Sequence, residues 1–407
     1  MQPHFEFDIF HNKRVHVGIT GSISAFKMVM VLRTLIKFGI HTSCTLTKSA
    51  HQFVTPLSFH ALGVDPVYSE LFNPLDDPFS HLAPSRTAQC QVICPATANF
   101  IAKMAHGIAD DMLSCQTLAF PHQQIIAPAM NSMMWSSKPV QQNIQVLASR
   151  NISILSPREG LLACGDTGHG KLADENDIFL AILHALSPHD LSGKRVLVCL
   201  GPTHEYFDVA RYWSNPSTGL MGACLAIAAW FRGADVHVVQ GPCTFFFPES
   251  ITITPVTTAH QMYEAMVSEF PKFDIICMAA AVADFSPVPY SQSKNKFKRD
   301  ITGKTAPHIE FISNPDILAK LGYIKSQNQK LIGFCAETSE LKMHAEEKLL
   351  RKQCDIMVAN FIGRDNSGFS STTNDVEVVD KHGRYEKWPV LPKPEVAWRI
   401  LDWTNHV

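Results

Sequence analysis

The chain has 407 residues, of which 46% are hydrophobic, and 35 basic against 37 acidic side chains leave a formal charge of −2. That length asks for about two to three domains, and the near-neutral balance excludes a global nucleic-acid or membrane-surface footprint while permitting a local anion site. The start, Met1-Gln2-Pro3-His4-Phe5-Glu6, lacks the basic end and apolar run of a secretory signal, and no apolar stretch is long enough to span a bilayer, so a cytoplasmic protein is expected. The 11 cysteines are scattered without a C-x-x-C pair, which predicts reduced, mostly structural thiols and leaves any metal ligand unknown.

In chain order, residues 15–20 read as a buried strand that runs into the turn Gly21-Ser22-Ile23-Ser24-Ala25-Phe26-Lys27 and then into a helix through Leu35. Backbone N–H groups at such a helix start suit an anion, so Ser22 and Ser24 are either phosphate contacts or plain N-caps. His81 follows Pro78-Phe79-Ser80 in a polar stretch and, taken alone, fits a surface histidine better than a catalytic one. Cys94 ends the apolar run Val92-Ile93-Cys94, and the next residues, Pro95-Ala96-Thr97-Ala98-Asn99, can cap a helix. A strand at 125–127 leads into Pro128-Ala129-Met130-Asn131, where the asparagine can form a turn. The most distinctive local segment is Ala163-Cys164-Gly165-Asp166-Thr167-Gly168-His169-Gly170-Lys171, a lone thiol among glycines whose backbone freedom lets the segment fold closely over a ligand.

The polar, turn-rich stretch 187–193 marks a boundary, predicting domains at 1–189 and 190–407. The second half repeats the plan of the first. A strand over 194–200 leads into Gly201-Pro202-Thr203, and a helix over 223–231 follows Ser214-Asn215-Pro216-Ser217-Thr218-Gly219-Leu220-Met221-Gly222. Strands followed by glycine turns and helices predict two Rossmann-like α/β domains with ligands outside the carboxyl ends of the strands. Neither turn is a complete G-x-G-x-x-G or Walker loop, so cofactor identity cannot be read from it.

Ten motifs carry a resemblance. In order they are Gly21-Ser22-Ile23-Ser24-Ala25, His81-Leu82, Pro95-Ala96-Thr97-Ala98-Asn99, Pro128-Ala129-Met130-Asn131 and Ala163-Cys164-Gly165-Asp166, then Gly201-Pro202-Thr203-His204-Glu205, Ser214-Asn215, Ala279-Ala280-Ala281-Val282-Ala283-Asp284, Asn314-Pro315-Asp316-Ile317 and Gly333-Phe334-Cys335-Ala336-Glu337-Thr338. The first five are similar to homo-oligomeric flavin-containing cysteine decarboxylases. Together the ten resemble the bacterial bifunctional phosphopantothenoylcysteine decarboxylase/phosphopantothenate-cysteine ligases of coenzyme A synthesis, nearly end to end.

The resemblance implies a flavodoxin-like, FMN-dependent decarboxylase domain followed by a CTP-dependent ligase domain. FMN would supply the electron sink that a cysteine carboxylate lacks, with oxidation to a thioaldehyde, loss of carbon dioxide and reduction of the enethiolate. His81 is implied as the base, Asn131 as the grip on the substrate carboxylate and Cys164 as the final proton donor. Gly21, Ser22, Ser24, Pro95, Ala96, Thr97 and Asn99 are implied to hold the flavin. In the ligase half, CTP with Mg2+ activates phosphopantothenate as an acyl-cytidylate for attack by cysteine. The implied set is Asn215 for that intermediate, Ala280, Ala281, Asp284 and Phe334 for the nucleotide, Asn314-Pro315-Asp316-Ile317 for its loop, and Lys348 and Lys352 for the triphosphate. The catalytic lysine implied by the resemblance is Lys296, from the match of Lys296-Phe297-Lys298-Arg299, with Lys294 the alternative.

Four positions in three segments depart from the family pattern. Phe26 stands for a tyrosine, Val209-Ala210-Arg211 for Pro-Val-Arg, and Leu220 for a lysine before Met221-Gly222, which removes a positive charge near an anionic substrate. Arg211 is implied as a phosphate or partner-subunit contact. The resemblance implies a homo-oligomer in which trimeric flavin units join into a larger assembly, a dodecamer, with no nucleic-acid or membrane partner. A flavin decarboxylase of peptide C-terminal cysteine would leave the second half without a role, and a non-catalytic FMN-binding regulator would not need His81, Asn131 and Cys164 together.

Overall fold

The structure, a computed structural model, describes residues 3–72, 77–161, 165, 167–289, 296, 308–363 and 368–407. The chain divides into two compact units, one formed by residues 8–187 and the other by residues 188–407 together with the first seven. The last detail departs from the expected boundary. Residues 3–7 carry three rings, of His4, Phe5 and Phe7, that are buried in the second unit, whereas the polar residues around Pro188 form the crossing.

In the first unit six parallel strands, β1 (Arg14–Ile19), β2 (His41–Leu46), β3 (Val67–Tyr68), β4 (Cys90–Ala96), β5 (Gln123–Pro128) and β6 (Ser153–Ile154), lie in the order 3-2-1-4-5-6. This is the Rossmann order rather than the 2-1-3-4-5 of flavodoxin, and its direction of winding reverses between β1 and β4. Strand β4 is buried along its whole length, as a central strand covered on both faces requires. The turn after β1 begins as a short 3-10 helix, Ile23–Lys27, before α1 (Met28–Lys37). Helix α1 buries Met28, Val31, Leu32 and Leu35, the i, i+3, i+4, i+7 stripe of an amphipathic helix. Helices α2 (Ala98–His106), α3 (Lys138–Ser149) and α4 (Glu175–Ala185) complete the layers, and α2 ends at Gly107 in the left-handed conformation. An antiparallel hairpin, Arg158–Leu161 with Thr167–Lys171, follows β6.

The second unit repeats the order. Its strands are β7 (Arg195–Leu200), β8 (Asp235–Gln240), β9 (Thr252–Pro255), β10 (Ile275–Met278), β11 (Lys330–Glu337), β12 (Ile356–Phe361), β13 (Val376–Asp380) and β14 (Tyr385–Lys387). They run 9-8-7-10-11-12-13-14 across the sheet, with the last two added antiparallel. The helices are α5 (Leu220–Phe231), α6 (Ala259–Glu269), α7 (Ile317–Ile324), α8 (Leu341–Lys352) and α9 (Lys393–Trp403). Every residue of α5 except Trp230 is buried, so this helix is apolar all round and sits between the sheet and α9.

At the far end of α5 the guanidinium of Arg232, almost wholly buried, donates to Asp190 and, at 2.7 Å, to Asp402, and lies over the Trp398 ring. Such a charge is tolerable in the interior only because both carboxylates and the Trp398 carbonyl answer its N–H groups. Phe7 meets Phe231 and Trp398 edge to face beside this cluster, and His4 Nε2 lies 2.9 Å from the Phe246 carbonyl.

Candidate active sites

In the first unit, the turn after β1 and the loop after β4 meet where the winding reverses. Thr20, at the end of β1, is the fastener: its hydroxyl donates to the Pro95 carbonyl at 2.7 Å and accepts from the Thr97 N–H at 3.0 Å. Thr97 caps α2 by accepting from the Phe100 N–H, and Ser22 accepts from the Ser24 N–H. Ser22 and Thr97 therefore are caps, and the caps are themselves the residues that aim helix N-termini at the crevice. Gly21 is needed on space alone, since a Cβ there would meet the Ser49 Cβ at 2.4 Å. Pro95 and Ala96 are buried, Ser24 is half-buried and Asn99 is exposed.

The next contacts lead along the strand ends. The Ala129 N–H donates to the Ala96 carbonyl at 3.1 Å, and the Met130 N–H to the Gly170 carbonyl at 3.0 Å. The hairpin thereby lies against Met130 and Asn131, close enough that a Cβ on Gly170 would stand 2.2 Å from the Met130 oxygen. Asn131 caps Ser132–Trp135, its Oδ1 accepting from the Met133 N–H at 2.8 Å. Cys164 belongs to the turn of this hairpin by sequence and lies outside the described residues, as do Ala163 and Asp166.

His81 is half-buried, and the residue before it is held by a different set of contacts. Gln116 donates to the Ser80 carbonyl at 3.2 Å and accepts from Thr45 at 2.5 Å; Thr45 contacts His16 Nε2 at 3.1 Å, and His16 Nδ1 reaches Ser43 at 2.9 Å. This chain of buried polar groups runs from the centre of the sheet to the residue before His81. Burial pushes the His16 imidazole down to about 3, against the opposing hydrogen bond of Gln116, so the ring is neutral.

In the second unit one cavity of about 690 Å³ opens at the carboxyl ends of β10 and β11. Asn215, Ala280, Ala281, Asp284, Asn314, Pro315, Asp316, Ile317, Phe334, Lys348 and Lys352 all line it. Local structure explains why they converge. Asn215 donates to the carbonyls of Ala281 and Val282, and Asn314 donates to that of Ala283, so two side chains pin the alanine-rich loop after β10. Ser286 donates both to Asn314 and to the buried Glu205, whose other oxygen receives the Ala259 N–H. Asp316 caps α7 through the Ala319 N–H.

Lys348 and Lys352 are one turn apart on α8, and each already has a carboxylate: Lys348 donates to Glu337 at 2.6 Å and Lys352 to Asp316. Burial pushes the Asp316 carboxyl up, but the hydrogen bonds from Lys352 and Ala319 outweigh it and hold the group below the usual carboxylate range. Lys296 is exposed and is not among the described residues lining the cavity, while Lys294, Lys298 and Arg299 lie outside the described residues. Arg211 is exposed and 3.7 Å from Asp208, whereas Leu220, the departure from the family pattern, lines the cavity as the first residue of α5.

Two family models divide the chain: one described as "Flavoprotein" matches residues 9–187, and one described as "DNA/pantothenate metabolism flavoprotein C-terminal domain" matches residues 191–407. The coenzyme A biosynthesis bifunctional protein CoaBC of Bacillus subtilis (strain 168) is 37% identical over 399 residues, 97% of each chain. The protein of the same name from Borreliella burgdorferi is 36% identical over 395 residues, 96% of this chain and 98% of its own.

The chain belongs to the CoaBC family.

A solved C-terminal domain of a CoaBC protein is 34% identical, covering 54% of this chain and 97% of its own, with a TM-score of 0.44. Within this CoaBC chain the motifs leave out several residues that the geometry brings in. Thr20 reaches Pro95 and Thr97 from 75 and 77 positions away along the chain, and Gln116, backed by Thr45 and His16, reaches Ser80 beside His81 from 36. Arg351, Asn374 and Lys393 line the cavity of the second unit. Arg351 was within reach of helical spacing, lying between Lys348 and Lys352; the others carry no local signal. No group of three or more His, Cys, Asp or Glu that could hold a metal occurs among the described residues, and no described helix is long and apolar enough to cross a membrane.

Proposed function

We infer that the chain makes 4'-phosphopantetheine from 4'-phosphopantothenate, cysteine and CTP, ligating in residues 190–407 and decarboxylating in residues 1–189 apart from the short N-terminal arm. The observation that carries this is the gathering of Asn215 and all the expected nucleotide residues around one cavity. Chance placement of four separated motifs and the two lysines of α8 around one cavity would be hard to arrange.

The ligase residues divide the work. Asn314 and Asn215 hold the loop after β10 in place, so that its backbone and Asp284 present a fixed face to the nucleotide. Lys348 and Lys352 are released from Glu337 and Asp316 when a triphosphate competes for them. Lys296 offsets the charge that develops as the substrate carboxylate attacks phosphorus, the electrostatic role on which phosphoryl and nucleotidyl transfer depends. Mg2+ enters with CTP, consistent with a cavity wall of lysines rather than a carboxylate cage.

FMN fits the crevice of the first unit, because Ser22 and Thr97 cap helices that begin there and Thr20 locks the two loops together. Gly21, Ser22, Ser24, Pro95, Ala96, Thr97 and Asn99 would hold it, and when bound it supplies the electron sink for loss of the carboxylate. Asn131, whose amide oxygen caps Ser132–Trp135 at the end of the crevice, would grip the substrate carboxylate. His81 acts as base and Cys164 returns the last proton. The assembly is a homo-oligomer built from trimers, working in the cytoplasm.

The test is to mix the purified protein with CTP, Mg2+, cysteine and phosphopantothenate and to identify the products by mass spectrometry. Phosphopantetheine is expected. Phosphopantothenoylcysteine alone would remove the decarboxylase half of the reading; no product would remove the ligase half, and failure to decarboxylate supplied phosphopantothenoylcysteine would remove the other.

A further inference from the structure

Lys393 opens α9 at the border of the second cavity, yet it is only 3% exposed. Its Nζ donates to the Gly368 carbonyl at 3.1 Å and lies 3.5 Å from that of Phe369. The Phe369 oxygen has a second donor, the Thr218 hydroxyl at 3.3 Å, and the Ser370 hydroxyl donates to the Pro216 carbonyl at 3.4 Å. Thr218 in turn receives the Leu220 N–H. One ammonium thus anchors a loop, and that loop holds the turn that delivers Ser217, Gly219 and Leu220 to the cavity.

A lysine is an expensive choice for this anchoring. No carboxylate among the described residues pairs with it, and burial without a counter-charge disfavours the ammonium. A neutral donor could bridge the same carbonyls at less cost. What distinguishes a cation is its attraction for a polyanion, and Lys393 lies on the wall where the nucleotide is expected. Bound triphosphate would supply the missing opposite charge, so filling the cavity and fixing the loop favour each other.

We propose that Lys393 is a positioning residue of the ligase, setting the Ser217–Leu220 edge of the cavity for CTP through the Phe369 carbonyl. The proposal rests on the ligase reading above. Its experiment therefore begins with ligation by the unmodified full chain, whose failure would strike that reading and not this one.

Given ligation, Lys393→Met should raise KM for CTP about tenfold to a hundredfold, the range for losing a hydrogen bond to a charged group, with a smaller change in kcat. Lys393→Arg, which keeps the charge and the donors, should stay within about threefold. Thr218→Val should raise KM as well, and the double variant should lose less than the product of the two single losses because both act on one carbonyl. An unchanged KM in Lys393→Met, or strictly multiplicative losses in the cycle, would overturn the proposal. If Lys393→Met fails to fold, Thr218→Val with Ser370→Ala removes the clamp from its other side by deleting only hydroxyls, and normal KM in that variant would be equally fatal. Decarboxylation of supplied phosphopantothenoylcysteine reports on the integrity of the other unit throughout.

Discussion

The two sheets share one strand order, but they use it differently. In the first unit the candidate residues are joined edge to edge by hydrogen bonds, Thr20 to Pro95 and Thr97, Ala129 to Ala96, Met130 to Gly170, with the hairpin laid across the end. In the second unit all of them but Lys296 line the wall of a single cavity, and two of the lining residues, Asn215 and Asn314, also hold its loop. The same switch point can therefore serve as a seam closed by a flap or as a basin. The seam suits a flat cofactor that does the difficult chemistry itself; the basin suits a reaction in which placement of charged groups is nearly all the protein contributes.

The largest expected effect breaks the seam. Cys164→Ser keeps approximate size but replaces the thiol with a much weaker acid, so saturated phosphopantetheine should disappear and the oxidised enethiol should accumulate. Mass spectrometry of the product decides it, and normal yield of the saturated thiol would discharge Cys164 from the role. Ligation should be untouched, which is the point of comparison.

The corresponding blow to the basin is Lys296→Gln. Removing one preorganised charge should slow acyl-cytidylate formation by about 10²–10³-fold while decarboxylation of supplied phosphopantothenoylcysteine continues. Should Lys294→Gln be the slow variant instead, the basic segment is out of register by two; if both ligate normally, it has no part in the chemistry.

The next effect is on stability. With His16 held neutral down to about 3, the unfolded chain takes up a proton from its ordinary 6.5 downward while the folded unit does not. The first unit should therefore lose about 1.4 kcal/mol of stability per pH unit between those limits from this group, a loss that begins as pH falls below 6.5. Circular dichroism and flavin release in denaturant at stepped pH would measure the slope, and His16→Asn should flatten it by one proton. An unaltered slope in that variant would deny His16 the buried, neutral state.

The smallest effect sharpens the basin. Leu220→Lys places a charge on the first residue of α5, where the helix dipole disfavours it by about 0.3–1 kcal/mol and a bound triphosphate favours it. A severalfold lower KM for CTP with a slight fall in thermal stability is expected from kinetics and melting curves. No change in KM would mean that the cavity wall near Leu220 does not face the phosphates.

Much of this arrangement was legible in the chain because strand ends write short, ordered motifs. The resemblance assigns Asn314-Pro315-Asp316-Ile317 to a loop of the nucleotide site, and within that segment Asp316 is the cap of α7. Lys348 and Lys352 are four apart, the spacing of one helix face, and α8 spans both. What escaped reading depends on partners distant in sequence. Nothing around Thr20 announces that it will clasp a loop 75 residues later, and Lys393 looks like an ordinary solvent-facing helix start until the 368–370 loop is laid over it. Buried polar side chains are poorly visible in sequence because their worth is set by what they meet, not by what flanks them.

The arm of residues 3–7 has an implication for anyone separating the activities. Seen along the chain, the flavin unit is an insertion, entered after Phe7 and left at Pro188, within a ligase unit that owns both flanks. Cutting at the apparent boundary would therefore strip the ligase of a piece of itself. Phe5 and Phe7 are 3% and 2% exposed, and their removal would bare the aromatic faces of Phe231, Phe246 and Trp398 to water. A dissected ligase made from residues 188–407 should be sticky and short-lived, and appending the heptapeptide Met1-Gln2-Pro3-His4-Phe5-Glu6-Phe7 through a flexible tether should cure it.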